Sequence, residues 1–226
     1  MVSWQKVLLF VSKTLKILTL FVVGMALLYV VLIKVDRYFG RRKIAQNPIS
    51  NVDNEYISIS KGDIIFKGAS MVFAHSDNPI LTCLPGHLAI SLTDTVLPLN
   101  NLNFDKIVVA ESSLFNLKKR RFEPSAKINS SVYNFGKASG RLFLLKNNLS
   151  VKEIERLRDF ARQKEGLPYF LFAGKEDTTR YNCATFVWQA LRYAAGMDVD
   201  FDGGRVVFPA DILRYYMEGD FEVVRF

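Results

Sequence analysis

The chain has 226 residues, half of them hydrophobic, and a net charge of +8, which suits one ordinary domain with an appendage. The charge is uneven: through Lys43 eight Lys/Arg face one acidic residue, Asp36, for a net +7, while the remainder holds 22 basic and 21 acidic residues, a net +1. That near-neutral remainder excludes a nucleic-acid binder, and two cysteines (Cys83, Cys183) with two histidines (His75, His87) are too few for a disulfide framework and lack the spacing of a zinc site.

The basic excess flanks an uncharged run, ILTLFVVGMALLYVVLI, from Ile17 to Ile33. Seventeen residues lie near the lower limit for a membrane-spanning helix. Val35, with Lys16 and Lys34 snorkelling to the interface, makes the length sufficient. No small-residue cleavage pattern follows, and the exit is the bulky DRYFGRRK, so residues 1–43 are expected to be an uncleaved single-pass anchor in a lipid bilayer. Lys6, Lys13 and Lys16 before the run, against Lys34, Arg37, Arg41, Arg42 and Lys43 after it, decide the side of the membrane only by a small margin. The polar stretch IAQNPISNVDNEYIS, residues 44–58, is broken by Pro48 and reads as a linker.

From residue 59 to 226 the chain reads as one α+β domain. GDIIFKG (Gly62–Gly68), GHLAISL (Gly86–Leu92), KIVVAES (Lys106–Ser112) and RLFLLK (Arg141–Lys146) are short, apolar or alternating, and predict strands. The residues between the last two, including NSSVYNFGKASG, read as hairpin and loop, and the basic run Lys118–Arg121 reads as a solvated loop or strand edge. After Asn147 the period changes. Ser150 and Glu153 form a capping-box pattern ahead of Val151, Ile154, Leu157, Phe160 and Ala161 at helical spacing, and Gly166 and Pro168 close that helix. A second helix is expected from Asn182, a favoured N-cap, to Gly196, a natural C-terminal stop. A third is expected over Ala210–Met217, followed by a strand in FEVVRF.

The chemistry converges on Cys183. It falls in the first turn of its predicted helix, where free N–H groups and the positive end of the dipole favour a thiolate and can hold an oxyanion. His87 follows the Pro85–Gly86 turn and opens an alternating strand, placing an imidazole at a sheet end as a candidate base. Glu111 closes the apolar IVVAES strand, and on a neighbouring strand its carboxylate can hold the imidazole. Tyr181 and Tyr169 are candidate cleft-lining, substrate-binding residues. Asp198-Val-Asp200-Phe-Asp202-Gly203 resembles the start of a calcium loop, but Pro209 stands where the bidentate glutamate belongs, so no metal is expected there. No cofactor is expected either.

PGHLAISL, VVAES, GLPYFLF and YNCATFVWQAL, in that order, resemble the circularly permuted branch of the NlpC-type papain-like superfamily, and among its members the YiiX/YaeF-like amidases. The resemblance spans roughly Gly62 to Pro209. It implies a permuted papain-like domain, a small antiparallel sheet or barrel packed against helices, with His87 as base, Glu111 as orienting acid and Cys183 as nucleophile. Two departures stand out. Asn182-Cys183-Ala184-Thr185 lacks the Ser-Glu that follows the cysteine in that group and is similar instead to the N-C-E-H-F-V element of the lecithin:retinol acyltransferase relatives, which use a second histidine where this chain has Glu111. Phe170 stands where a polar residue is expected. The expectation is therefore a membrane-anchored thiol hydrolase acting on a lipid, an acylated protein or a peptide. Its alternatives are lipid acyl transfer and an inactive tethered binding domain. If the domain is exported, Cys83 and Cys183 can pair.

Overall fold

In the computed structural model the described residues are 14–25, 27–28, 31, 56–67, 86–98, 107–116, 119, 121–129 and 142–225. After helical residues 14–25 come strands β1 (Tyr56–Ile59), β2 (Ile64–Lys67), β3 (His87–Ser91), β4 (Thr95–Pro98), β5 (Val109–Asn116), β6 (Arg121–Asn129) and β7 (Leu142–Leu145). Helices α1 (Val151–Lys164), α2 (Cys183–Ala195) and α3 (Pro209–Glu218) follow, and then strand β8 (Val223–Arg225). Among the described residues no helix is long and apolar enough to cross a membrane, and the expected anchor lies partly outside them.

The main sheet is antiparallel throughout, in the order β6-β5-β3-β2-β7-β8. Alternation along the strands explains why it is buried on both faces. Ile64, Phe66, Leu88, Ile90 and Ala110 point to the helices, where they meet Phe160, Phe186, Val187 and Leu191. Ile65, Ala89, Val109 and Leu144 point the other way, under a second, two-stranded ribbon of β1 and β4 that supplies Ile57, Ile59 and Leu97. Each large apolar side chain so enclosed contributes about 1.5–3 kcal/mol relative to water. Central strands covered on both sides read as continuous apolar runs, as IIF and LAI do.

The local signals formed what they encode. Ser150 and Glu153 close a reciprocal capping box at α1. Asn182 caps α2 by accepting from Thr185 N–H, and Gly196 ends it in the left-handed region at φ 70°. Three expectations need correction. Tyr56, inside the presumed linker, already pairs with Pro98, because Tyr-Ile-Ser-Ile alternates and buries Ile57 and Ile59. β6 is a nine-residue strand where hairpin and loop were expected. Tyr181 is fully enclosed, packed edge-on against Phe160 and Phe186 with its hydroxyl on Thr178 O and Gln189 Oε1, so its side chain belongs to the core and lines no cleft. Cys83, His75 and residues 130–141 lie outside the described residues.

Candidate active site

Helix α2 is aimed by the chain before it. Tyr169 and Tyr181 form a parallel bridge, with Phe170 N–H donating to Tyr181 O and Tyr181 N–H to Pro168 O, both at 3.0 Å. The extended backbone of Asn182 then turns into the helix (φ −88°, ψ 177°). Its side chain works in both directions. Oδ1 accepts from Thr185 N–H at 2.7 Å, and Nδ2 donates to Leu171 O at 3.0 Å and Val207 O at 3.4 Å. Cys183 is therefore fixed at the first helical position, buried, with its sulfur 4.0 Å from Gly86 O. The amides of Cys183 and Ala184 lie in the turn where a helix supplies no internal acceptor, so they can receive a developing oxyanion.

β3 brings the imidazole. His87 is its first residue, directly after Gly86, and its ring hydrogen-bonds the Cys183 sulfur. β3 pairs with β5 in the register Ser91↔Val109, which puts His87 and Glu111 on one face of the sheet, diagonal to each other. His87 Nε2 meets Glu111 Oε2 at 2.7 Å, leaving Nδ1 for the thiol. The carboxylate is nearly enclosed, with 8% of its side chain exposed. Its other oxygen, Oε1, accepts from Asn129 Nδ2 at 2.6 Å and from Ser113 Oγ at 3.1 Å. Lys127, buried and paired with Glu111 across β5 and β6, sends its ammonium to Glu123 O at 2.6 Å.

Electrostatics follow from these contacts. Burial pulls the imidazole toward neutrality, but its hydrogen bonds to Cys183 and Glu111 and the negative charges of both lift the pKa to about 10. Burial would raise Glu111, yet His87, Asn129 and Ser113 outweigh it and hold the carboxyl below its ordinary value. Tyr169 is half-buried, and burial together with the nearby Cys183 charge pushes its hydroxyl up to about 12. Tyr169 is thus within electrostatic reach of Cys183.

Asn129 and Ser113 carry no signal in the sequence. The role of Asn129 depends on a register between strands, Val109↔Asn129, that only the folded sheet reveals, while Ser113 reaches Glu111 from two residues along the same strand.

The acidic stretch after α2 is occupied by other work. Asp198 accepts from Trp188 Nε1 at 2.7 Å and pairs with Arg192. Asp202 accepts from Gly204 N–H, Asp211 accepts from Phe208 N–H at the start of α3, and Asp200, its side chain enclosed, is ion-paired with Lys175. Asp200, Asp202 and Asp211 each bring an oxygen within 4.8 Å of the others, so a cation could enter only by displacing the Lys175 ammonium. A groove beside Trp188, Arg192 and Tyr193 includes none of His87, Glu111 and Cys183.

The fold and site define an α+β domain in which a helix-start cysteine, a strand histidine and a strand glutamate are joined by hydrogen bonds. Two known proteins are similar to it. The uncharacterized protein YycO of Bacillus subtilis (strain 168) is 30% identical over 93 residues, which is 39% of this chain and only 38% of that protein. The crystal structure of metalloprotein yiiX from Escherichia coli O157:H7 superposes with a TM-score of 0.46 at 18% identity, covering 73% of this chain and 96% of that one. No family model matches the chain.

Proposed function

We propose that the chain is a membrane-anchored thiol hydrolase of amidase or peptidase type, with a permuted papain-like arrangement. The observation that carries the reading is the unbroken series of contacts from Cys183 through His87 to Glu111 and Asn129. The Cys183 thiolate attacks the carbonyl carbon of an amide or ester. Electrons move onto the carbonyl oxygen, which the Cys183 and Ala184 amides receive. The tetrahedral intermediate collapses, His87 gives its proton to the departing amine or alcohol, and an acyl-thioester remains. His87, now neutral, takes a proton from water, and the hydroxide so formed adds to the thioester, whose collapse releases the acid and restores the Cys183 thiolate beside a protonated His87. Glu111 holds the ring with Nε2 protonated, so that Nδ1 is the nitrogen that exchanges protons. Residues 17–33 serve as the anchor and keep the domain at a bilayer.

Acyl transfer to a lipid acceptor in place of water, as in the lecithin:retinol acyltransferase relatives, is the second reading. It is favoured by the exposed Phe170-Leu171-Phe172 segment beside Asn182, since an apolar rim suits acyl chains.

The test is alkylation of the full chain by iodoacetamide between about pH 5 and pH 9, where an unperturbed thiol with a pKa of about 8.5 reacts only at the upper end. Reaction at the acidic end, lost in Cys183→Ala and slowed in His87→Ala, is the expected result. Reaction confined to alkaline pH and indifferent to His87 would leave Cys183 a packing residue and end the proposal.

A further inference from the structure

Two sets of exposed apolar side chains lie on segments joined to the chain just ahead of Cys183. One is the loop after Tyr169, where Phe170, Leu171 and Phe172 are all exposed, Phe172 by 62%. These are not frayed residues. Phe170 N–H is bonded to Tyr181 O, Ala173 N–H to Phe170 O, and Leu171 O receives Asn182 Nδ2, so the loop is tied to the two residues ahead of Cys183. The other set lies on the β5–β6 hairpin, where Phe115 and Phe122 stack edge-to-face at 5.5 Å and Phe122 is 63% exposed. The sets converge. Tyr169 N–H donates to Pro124 O and Pro168 bridges Ser125, so Phe122 stands two residues from the strand position that Tyr169 occupies.

Cations sit among the rings. Arg180, ion-paired with Asp177 at 2.6 Å, lies over the Phe170 ring at 4.4 Å, while Lys119 and Arg121 share the single carboxylate of Glu123, leaving the hairpin end net positive. Lys119 and Arg121, from the basic run that sequence alone assigns to solvent or a strand edge, thus share a hairpin with exposed Phe115 and Phe122.

We propose that this end of the domain is a bilayer-docking face. Phe170, Leu171 and Phe172 on one side and Phe115 and Phe122 on the other enter the headgroup–acyl boundary of a membrane containing anionic lipid. Three observations select a bilayer over a protein partner. The apolar residues are exposed side chains on two separate segments, the Phe170–Phe172 loop and the paired strand positions Phe115 and Phe122, and scattered exposed rings suit a fluid interface better than a matched groove. Aromatic rings with adjoining Arg and Lys are the side chains that settle at the headgroup level of anionic membranes. The uncharged run Ile17–Ile33 precedes β1 by little more than twenty residues, a tether reaching at most about 70–80 Å when fully extended. Resting on the hydrolase reading, the same geometry names the substrate class: an ester or amide whose scissile carbonyl lies at the acyl boundary, with the chain held in the membrane and the leaving group toward the headgroups.

The experiment uses the full chain, mixed with phosphatidylcholine–phosphatidylglycerol vesicles carrying bromine on the acyl chains. Tryptophan is introduced in turn as Phe172→Trp, Phe122→Trp and, as a control, Tyr193→Trp. Tyr193 lies ten residues along α2 from Cys183, about 15 Å by helical rise. The signal of the native Trp4 and Trp188 is subtracted with the unsubstituted protein. Quenching several-fold stronger at positions 172 and 122 than at 193 is the expected result. Equal quenching at all three, or none at 172 and 122, overturns the docking face. Leu171→Trp replaces either probe that lowers the melting temperature. Iodoacetamide labelling of Cys183 in the same samples separates the two ideas, because quenching without activated labelling sinks the hydrolase and spares the docking face, and the converse does the opposite.

Discussion

Asn129 Nδ2 holds Glu111 Oε1 at 2.6 Å, and this leaves Oε2 alone to meet His87. A carboxylate with one oxygen pinned cannot rotate away from the ring, so Asn129 is a positioning residue that acts through Glu111. Asn129→Ala should slow Cys183 alkylation at neutral pH by about tenfold and leave the protein folded. A merely structural role would lower stability without moving the pH profile. The measurement is the alkylation rate across pH beside a melting curve. Asn129→Asp is harsher: a second carboxylate at that distance must share a proton with Glu111, and the profile should move further.

The imidazole can be watched directly, because the chain has only two histidines, His75 and His87. His87 should remain protonated far above its ordinary 6.5, toward about 10, in the intact protein. Cys183→Ala removes the sulfur's hydrogen bond and its charge, leaving Glu111 alone to oppose burial. The His87 proton resonance should then titrate well below 10, nearer the ordinary value. Unchanged titration would show that the sulfur does not interact with the ring.

Opposite shifts in the His87 and Glu111 pair give stability a pH window. A folded pKa raised above 6.5 means that His87 contributes fully below that pH and loses its contribution as pH climbs toward 10. Glu111, depressed below 4.5, contributes above that value and loses its contribution as pH falls. Both act together between about pH 4.5 and 6.5. Glu111→Gln keeps the shape and removes the charge, so it should cost about 1–3 kcal/mol in that window and less on either side. Urea unfolding of both proteins at several pH values measures it. A cost independent of pH would assign the loss to packing.

Local chemistry was legible in the sequence and pairing was not. Ser150 with Glu153, Asn182 and Gly196 announced their helix ends because a cap depends on residues within one turn. His87 and Cys183 were marked by a strand start and a helix start and Glu111 by the end of an apolar run, and the β3–β5 pairing supplied the 2.7 Å contact that no spacing could give. β6 stayed hidden because Arg-Phe-Glu-Pro looks like a turn, yet proline is tolerated there since β6 is the sheet's edge strand. Tyr181 misled for a related reason. It lies two residues before the nucleophile in sequence, but its ring packs inward against Phe160 and Phe186.

Asn182 links the stability of the site to its chemistry. It caps α2 through Oδ1 and ties two separate loops to the helix start through Nδ2, at Leu171 O and Val207 O. Loss of a cap alone costs about 1 kcal/mol. Leaving two carbonyls without their donor adds to that, so Asn182→Ala should cost about 2–4 kcal/mol. Asn182→Asp separates the two roles. An aspartate still accepts from Thr185 N–H and complements the helix dipole, but it turns a carboxylate oxygen toward the Leu171 and Val207 carbonyls, where like charges repel. It also sets a negative charge beside Cys183, which opposes formation of a thiolate. Asn182→Asp should therefore retain helical content, unfold at a lower temperature than the native chain, and shift alkylation of Cys183 to higher pH. Circular dichroism melting and the alkylation profile read the two effects separately. Native-like melting with an unshifted profile would mean that capping is all Asn182 does.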